Sequence, residues 1–440
     1  MMEAPIQNDT PDGWQTYRIG DVTQRTKQRN PAIAPERRFT YIDVSAVSNT
    51  SFRITEPVEL LGADAPSRAR KIVHTGDVLF ATVRPTLKRV ALVPERLHDQ
   101  IASTGYIILR ADSAKLDSRY LYFRLLTDDF ITRMRELERG ASYPAVRDTD
   151  VLNENIPIPP LPEQRKIAEV LGVVQRGIEQ QERLLQLTAE LKKTLLHQLF
   201  TQGLRGEPQK QTEIGPVPES WEVAKIGDVA KLQSGGTPAR DASEYWQGGT
   251  IPWVKTGEID YCVIWGTGER ITPAGMANSA AKLFPKGTLL MAMYGQGVTR
   301  GRVAILGIEA ATNQACAAIT PRDEARVSSR FLYYFLEYQY ENLRKLGHGA
   351  NQRNMNAALI RGFPVSFPTP VDQNKIISAL SALDVKSAIH QRKHSAFSDL
   401  FRTLLHQLMT AQIRVHDLDL SVLGTIGLGG ENSDWKRYEP

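Results

Sequence analysis

The chain has 440 residues, of which 41% are hydrophobic and 23% are charged, a composition typical of globular proteins and a length that predicts two or more domains. The net charge of +5 permits a nucleic-acid partner without requiring one. Two cysteines, Cys262 and Cys316, with no CxxC motif or adjacent histidine cluster, argue against a disulfide framework or a zinc site and favour a reducing, cytoplasmic location. No signal-peptide pattern is found, and no apolar run approaches the roughly 20 residues of a membrane span.

The first half of the chain begins with a pattern typical of a mixed α/β domain. "TGDVLFATV" (75–83) is a short apolar run after a glycine turn, and "RVALV" (89–93) follows it as a partner strand. An aromatic helix, "RYLYFRLLTDDFITRMREL", comes next. These elements predict a strand-rich domain that is closed by one amphipathic helix.

A proline-rich hinge, "IPIPPLPEQ" (156–164), then introduces a long periodic segment over about 163–200. Its apolar residues repeat every 3.5 positions, which predicts a long helix packed in a coiled coil. Polar residues interrupt the seam at Gln181, Thr188 and Lys192. The seam itself consists of Ile167, Leu171, Val174, Ile178, Leu185, Leu195 and Leu199.

The second half repeats the first. "TLLHQLFTQGLR" (194–205) matches "TLLHQLMTAQIR" (403–414), and the second hinge is "FPVSFPTPVDQ" (363–373). The same offset of 209 positions (403 − 194) gives the second helix an equivalent seam at Ile376, Leu380, Leu383, Phe397, Phe401, Leu404 and Leu408. The repeat predicts a first domain (1–160), a spacer helix (161–206), a second domain (207–370), a second spacer helix (371–414) and an irregular tail (415–440).

These motifs resemble those of specificity subunits of type I DNA restriction–modification systems. The resemblance is carried by the duplicated units, "IPIPPLPEQRKIAEVLG", "LTAELKKTLLHQLFTQGLRGE", "GGTIPWVKTGEI" and "FPKGTLLMAMYGQGVTRGRVAILG", and it covers nearly the whole chain. The second hinge departs from the pattern, because "PTPVDQ" stands where the first has "PPLPEQ". The resemblance implies an α+β fold: two pseudo-repeated mixed α/β target-recognition domains separated by two long antiparallel coiled-coil helices.

The resemblance also implies a division of labour. The chain would be a non-catalytic DNA-recognition subunit that reads a two-part, asymmetric target in double-stranded DNA. Two methyltransferase subunits, which carry S-adenosylmethionine and modify adenine N6, and motor-nuclease restriction subunits would be its partners. No cofactor, metal or membrane is expected for the chain itself.

Candidate DNA contacts lie in equivalent loops of the two halves, where side chains offer donors and acceptors for bases or phosphates. The loops "VRPTLKR" and "YGQGVTRGR" follow the central strands, "GASYPAVR" and "GANQRN" precede the hinges, and "GGTPARDASEYW" is present only in the second half. Ordinary solvated loops are the alternative interpretation. The candidates are Arg84, Lys88, Arg89, Ser142, Tyr143, Arg147, Thr237, Arg240, Tyr294, Gln296, Thr299, Arg300, Arg302, Asn351, Gln352 and Arg353.

Two other functions stay open from the sequence: a two-lobed coiled-coil scaffold without DNA recognition, and a stand-alone nuclease. The sequence contains no GxxxxGK[ST] motif for ATP and no Asn/Asp-Pro-Pro-Tyr/Phe motif of an adenine methyltransferase. The glycines of "YGQGVTRG" have GxGxxxG spacing between two predicted strands, which is not a dinucleotide-binding arrangement. Four histidines in the helical segments, His197, His390, His394 and His406, are interpreted as seam or surface residues.

Overall fold

The structure, a computed structural model, describes residues 12–294, 298–346 and 355–418. The chain divides into unit 1, which comprises Met1–Arg183 and Gln391–Pro440, and unit 2, which comprises Leu184–His390. Each unit therefore contains its own sheets together with one part of each long helix.

Unit 1 has two four-stranded sheets, with strand orders β2-β9-β6-β7 and β4-β3-β8-β5, and the antiparallel pair β1-β10. Short alternating or continuous apolar runs form these strands because they bury one or both faces. The strands are β1 (Gln15–Arg18), β2 (Thr23–Gln24), β3 (Arg38–Ile42), β4 (Val58–Leu61), β5 (Ala69–Val73), β6 (Val78–Ala81), β7 (Val90–Leu92), β8 (Gln100–Ser103), β9 (Tyr106–Ala111) and β10 (Asn155–Ile158).

Unit 2 repeats this arrangement with sheets β14-β22-β19-β20-β16 and β17-β15-β21-β18 and the pair β13-β23. It adds β16 and the hairpin β11-β12 to the shared plan. The strands are β11 (Gln209–Thr212), β12 (Gly215–Pro218), β13 (Glu222–Lys225), β14 (Ala230–Ser234), β15 (Ile251–Val254), β16 (Val263–Ile264), β17 (Glu269–Ile271), β18 (Leu283–Phe284), β19 (Leu289–Ala292), β20 (Val303–Leu306), β21 (Ala310–Thr312), β22 (Cys316–Pro321) and β23 (Pro364–Phe367).

The helices follow the same repeat, with one difference from the prediction. Each predicted aromatic helix is two helices, because Thr127 is extended (φ −67°, ψ 147°) and Gln339 has left the helical conformation (φ −84°, ψ 11°). The helices are α1 (Ser118–Leu125), α2 (Asp128–Glu136), α3 (Asp148–Leu152), α4 (Leu161–Gln202), α5 (Ile226–Val229), α6 (Pro273–Ala277), α7 (Ser329–Tyr338), α8 (Tyr340–Lys345), α9 (Ala357–Gly362) and α10 (Pro370–Met409).

The hinge glutamine has the same buried role in both units. Gln164 donates to the carbonyls of Lys115 and Pro159 at 2.9 and 2.8 Å and accepts from the amide of Asp117 at 2.8 Å. Gln373 donates in the same way to Arg326 and Pro368, at 2.7 and 3.0 Å, and accepts from Ser328 at 3.1 Å. The "EQ" and "DQ" of the repeat therefore lock the start of each long helix to the segment before α1 or α7.

The long helices α4 and α10 run antiparallel within each unit. In unit 1, Glu163 near the start of α4 binds Arg414 just beyond α10 at 2.9 Å, and Glu182 further along meets His394 at 3.2 Å. In unit 2, Lys192 lies 2.8 Å from Asp384. Residue numbers thus rise on one helix as they fall on the other. Among the described helices, none combines the length and the apolar character needed to cross a membrane.

A cluster of charged residues is partly buried where the long helices meet α7 in unit 2. The Lys192 ammonium lies 2.7 Å from the Glu337 carboxylate and 2.8 Å from that of Asp384. The Tyr334 hydroxyl donates to Asp384 at 2.7 Å. Burial raises the pKa of Glu337, and Lys192 opposes that rise. We call Lys192, Glu337 and Asp384 the charged junction.

Unit 1 has a different set of residues at the equivalent positions. Phe401 replaces the lysine, Leu126 replaces the glutamate and Gln175 replaces the aspartate. The Phe401 ring packs against Phe123 with centroids 6.0 Å apart, and Gln175 donates to the Tyr122 hydroxyl at 2.8 Å. The same helix crossing is therefore closed by apolar packing in unit 1 and by ion pairs in unit 2.

Candidate nucleic-acid interface

Three connections meet at one edge of unit 1. The β6–β7 loop pairs with the segment before α3, because Val83 bridges to Ala145 and the amide of Arg84 donates to Pro144 at 2.7 Å. The β8–β9 connection joins them through the Thr82 amide, which donates to Gly105 at 2.9 Å. This edge thus brings together two of the loops predicted to contact DNA.

The edge of unit 1 carries three exposed arginines, Arg68, Arg84 and Arg147. Arg68 lies next to the β8–β9 connection, because the backbone amide of Thr104 donates a hydrogen bond to the carbonyl of Arg68 at 2.8 Å. None of the three guanidinium groups forms an ion pair with a residue in the described ranges. Unpaired guanidinium groups are suited to guanine edges and phosphates. We call Arg68, Arg84, Thr104, Tyr143 and Arg147 the first edge.

Arg84 is held in an unusual conformation for a residue with a side chain. Its φ of 49° lies in the left-handed region, and Lys88 at the other end of the loop has a φ of 52°. The Arg84 guanidinium lies 5.3 Å from the centre of the Tyr143 ring, and Tyr143 is 73% exposed. Ser142 is exposed beside it. The loop therefore presents a cation and an aromatic ring together.

Lys88 and Arg89 do not belong to this edge, in contrast to the prediction from sequence. Lys88 forms an ion pair with Asp128 at 2.6 Å. Arg89 donates to the carbonyls of Val44 and Ser45 at 3.3 and 3.2 Å and also to that of Val47. Both side chains are engaged inside the unit, and Arg89 in particular satisfies loop carbonyls.

In unit 2 the equivalent edge surrounds a pocket of about 340 Å³. Its polar lining residues are Ser234, Thr237, Tyr294, Gln314 and Asn356, and we call the last four the second edge. Asn356 also caps α9 by accepting from the Leu359 amide at 2.9 Å. The described residues that line this pocket include no lysine, arginine, aspartate or glutamate. The second edge is therefore amide-rich where the first is arginine-rich.

One residue that lines this pocket, Ala357, differs in charge from its counterpart in unit 1. The buried Lys71 forms an ion pair with Asp148 at 2.6 Å, at the start of α3. The residue equivalent to Asp148, at the start of α9, is Ala357. An alanine cannot form this ion pair, so the lining of the pocket carries no charge at this position.

The other arginines predicted in unit 2 have partners within the unit. Arg240 lies 3.9 Å from the Trp246 ring centre and 2.5 Å from Glu269, whose pKa is lowered by hydrogen bonds from Lys255 and Arg240. Arg302 contacts Asp260. Arg300, from the half-buried segment that also contains Thr299, donates to the Arg344 carbonyl at 3.2 Å. These residues lie outside the second edge as defined above.

Four predicted contacts, Gln296, Asn351, Gln352 and Arg353, lie outside the described residues, as does most of the predicted tail. Conversely, Arg68, Thr104, Gln314 and Asn356 were not among the residues predicted from sequence. Thr104 and Gln314 lie in the connections β8–β9 and β21–β22, whose strands were not predicted from the sequence. Arg68 and Asn356 carried no signal either, because their place at the edge depends on pairing between distant strands.

Groups suited to catalysis or metal binding are not gathered at either edge. Across the described ranges, no cluster of three or more histidine, cysteine, aspartate or glutamate residues could hold a metal ion. Burial raises the pKa of the Cys316 thiol to about 12, so this thiol is un-ionised at neutral pH. His394 lies beside Glu182, and His197 lies beside Tyr338.

Comparison with known proteins gives a consistent result. The family model of the type I restriction modification DNA specificity domain matches residues 11–189 and 218–396. The MjaVIII specificity subunit of a type I restriction enzyme from Methanocaldococcus jannaschii is 23% identical, over 93% of this chain and 95% of that protein.

Two solved structures are similar over most of the chain. One, from work on complex assembly and conformational transition of the type I R-M system, is 27% identical with a TM-score of 0.54, covering 91% of this chain and 98% of that chain. The other, a type I restriction-modification S subunit from M. genitalium, is 15% identical with a TM-score of 0.60, covering 92% and 98%, and supports the fold alone. The resemblance inferred from the sequence is confirmed: the chain belongs to the type I restriction modification DNA specificity family and carries two copies of its domain.

Proposed function

We propose that this chain supplies the DNA sequence specificity of a type I restriction–modification complex. Unit 1 reads one half of a two-part, asymmetric target and unit 2 reads the other. The long helices α4 and α10 act as spacers that leave the bases between the two halves unread. Residues 1–160 and 207–370 correspond to the two readers in this proposal, and 161–206 and 371–414 to the spacers.

The observation that carries the proposal is the equivalent placement of two differently equipped edges. Both include residues from equivalent connections of a duplicated domain, Thr104 matching Gln314 among them, and both present side chains able to bond to bases or phosphates. A repeated framework with different reading groups is what recognition of two different half-sites requires. A scaffold has no need for three unpaired arginines at one edge.

Catalysis in this proposal belongs to partners. A methyltransferase subunit, present in two copies, brings S-adenosylmethionine and methylates an adenine amino group in each half-site after that base leaves the stack. Motor-nuclease subunits join the complex for restriction. The chain itself holds no cofactor and acts in the cytoplasm.

An exposed apolar patch on the helices of unit 2 supports partner binding. Leu187 and Leu191 of α4 are 42% and 54% exposed, and Val385 and Ile389 of α10 are 59% and 44% exposed. Because Lys192 meets Asp384, Leu191 and Val385 lie at neighbouring levels of the antiparallel pair. Apolar residues grouped in this way mark protein–protein contacts.

The experiment is a genome-wide map of methylated adenines in cells with and without this gene. The proposal predicts a two-part motif that is methylated only when the gene is present. The same motif in both strains would contradict it.

Binding measurements separate this function from its rivals. The purified complex should bind duplex DNA with a steep dependence on salt, as phosphate contacts require. Salt-independent or undetectable binding would favour a scaffold. Cleavage by the purified chain alone, shown free of contaminants, would favour a nuclease.

A further inference from the structure

Gln314 is presented on a rigid connection between β21 and β22. The residues around it are fixed by backbone hydrogen bonds: Gly236 donates to Thr312 at 2.9 Å, Met293 donates to Ala315 at 2.8 Å, and the Asn313 amide donates to Val254 at 3.0 Å. The connection is therefore held from three neighbouring segments at once.

Side chains brace the same connection from inside. The side-chain Nδ2 of Asn313 donates to the Thr256 hydroxyl at 3.2 Å. The Cys316 thiol donates to the side-chain oxygen of Asn313 at 3.0 Å. Gln314, by contrast, is exposed, and its side chain makes no hydrogen bond with any residue in the described ranges. Because the backbone that carries this amide is already ordered, binding costs side-chain entropy but little backbone entropy.

The pocket beside Gln314 is lined by backbone on one side. A Cβ on Gly235 would lie 2.0 Å from the Thr312 carbonyl oxygen, and one on Gly236 would lie 2.2 Å from the Ala280 carbonyl carbon. Side chains are thus excluded from this wall, and Tyr294 and Met293 contribute to the lining. The uncharged lining favours a neutral hydrogen-bonding edge over a phosphate.

We propose that Gln314 reads an adenine in the half-site recognised by unit 2. Its Nε2 donates to adenine N7 while its Oε1 accepts from adenine N6, the paired bonds that distinguish adenine in the major groove. The adenine stays stacked in the duplex, so it is a different base from the one that is methylated. The inference rests on the proposed function and assigns one base to one residue of the same site.

Unit 1 provides the internal contrast. The equivalent residue is Thr104, in the same connection between β8 and β9. A hydroxyl group cannot form the paired bonds of an amide, so Thr104 cannot read an adenine in this way. The adenine contact is therefore specific to unit 2.

The test is the adenine-methylation map of cells carrying the complete system with Gln314→Ala, Gln314→Glu or the control Gln211→Ala. Gln211 is an exposed glutamine of β11, in the hairpin outside the second edge. With Gln314→Ala, one adenine position in one half-site should lose its preference by roughly tenfold or more while the rest of the motif persists. With Gln314→Glu, the same position should shift toward cytosine, since a carboxylate accepts from cytosine N4. The control should reproduce the wild-type motif.

The outcomes separate this inference from the proposed function. An unchanged motif in both Gln314 variants would overturn the inference and leave the function standing, as would relaxation at a G·C pair instead of an A·T pair. Absence of any gene-dependent motif in the wild type would overturn the function itself. Equal loss of methylation at every site, with the Gln314→Glu protein folded by circular dichroism, would also contradict base reading by Gln314.

Discussion

Units 1 and 2 share a framework but differ in chemistry at two equivalent places. At the edges, unit 1 offers Arg68, Arg84 and Arg147, whereas unit 2 offers Gln314 and neighbouring polar groups around a pocket. At the helix crossing, unit 1 packs Phe401 where unit 2 has the partly buried charged junction. The hinge glutamines, in contrast, keep the same three hydrogen bonds in both units. The two copies thus share the hinge that builds the domain and differ at the edges and at the helix crossing.

The largest expected effect comes from breaking the charged junction. Lys192→Met should destabilise unit 2 by about 3 kcal/mol, the low end for a buried ion pair, because it leaves the partly buried carboxylates of Glu337 and Asp384 without their cation. The measurement is urea unfolding of the purified chain. The matched control is Lys88→Met, which removes the exposed ion pair with Asp128 and should cost under about 1 kcal/mol.

A triple variant sharpens the same comparison. Lys192→Phe, Glu337→Leu and Asp384→Gln together give unit 2 the residues of unit 1 at this crossing. Because apolar packing can replace a buried ion pair at little cost, most of the lost stability should return. A triple variant as unstable as Lys192→Met would show that the two crossings are not interchangeable.

The stability of unit 1 should depend on pH through Glu179, whose counterpart in unit 2 is Ala388. Burial raises the pKa of Glu179 from its usual 4.5 to about 7, although Arg53 opposes the rise. A raised carboxyl pKa gives stability that is fully present below pH 4.5 and lost as the pH rises through about 7. The whole effect corresponds to about 3 kcal/mol.

Glu179→Gln should therefore flatten the dependence of unfolding free energy on pH between about 4.5 and 7. Urea unfolding at several pH values checks this, with Glu182→Gln as a control for the nearby carboxylate that meets His394. Parallel pH profiles for wild type and Glu179→Gln would argue against a buried, protonated Glu179.

The hinge glutamines Gln164 and Gln373 test a feature that the two units share. Gln164→Ala and Gln373→Ala each remove three hydrogen bonds from buried backbone groups and should each cost about 2 kcal/mol. Thermal unfolding should show similar losses for the two variants. A loss confined to one of them would mean that the hinges are equivalent in geometry but not in energy.

The smallest expected effect concerns the first edge. Arg84→Ala should weaken DNA binding by the assembled complex by about 1–3 kcal/mol if the guanidinium group bonds to a guanine, and only at one base position of one half-site. A loss that is uniform across sequences would identify a phosphate contact. Lys88→Ala is the control, because Lys88 is paired with Asp128. Binding of labelled duplexes with single substitutions measures both variants.

Much of the framework could be predicted from the sequence, for identifiable reasons. Glycine turns followed by apolar runs predicted β6 and β19, and the 3.5-residue period predicted α4 and α10. The break between α1 and α2 was missed, because Thr127 and its neighbours bond locally in a way that periodicity does not reveal. Lys192 was seen only as a polar interruption of the seam, since its carboxylate partners come from two other helices.

The candidate site was predictable only in part. Arg84 and Tyr143 were found because their loops repeat in equivalent places, and the structure brings them into contact. Arg89 stays a prediction as a DNA contact, although the fold shows that its guanidinium group bonds to the carbonyls of Val44 and Ser45. Gln314 was missed because strand ends that form one edge are far apart in sequence.

The most direct test of two independent readers is an exchange of residues 11–155 for the corresponding domain of another family member, followed by mapping methylated adenines in cells with the complete system. Those residues contain the whole first edge and none of the second. The account predicts that one half of the motif changes while the other half and the unread spacer stay as they were. A map in which both halves change would contradict it.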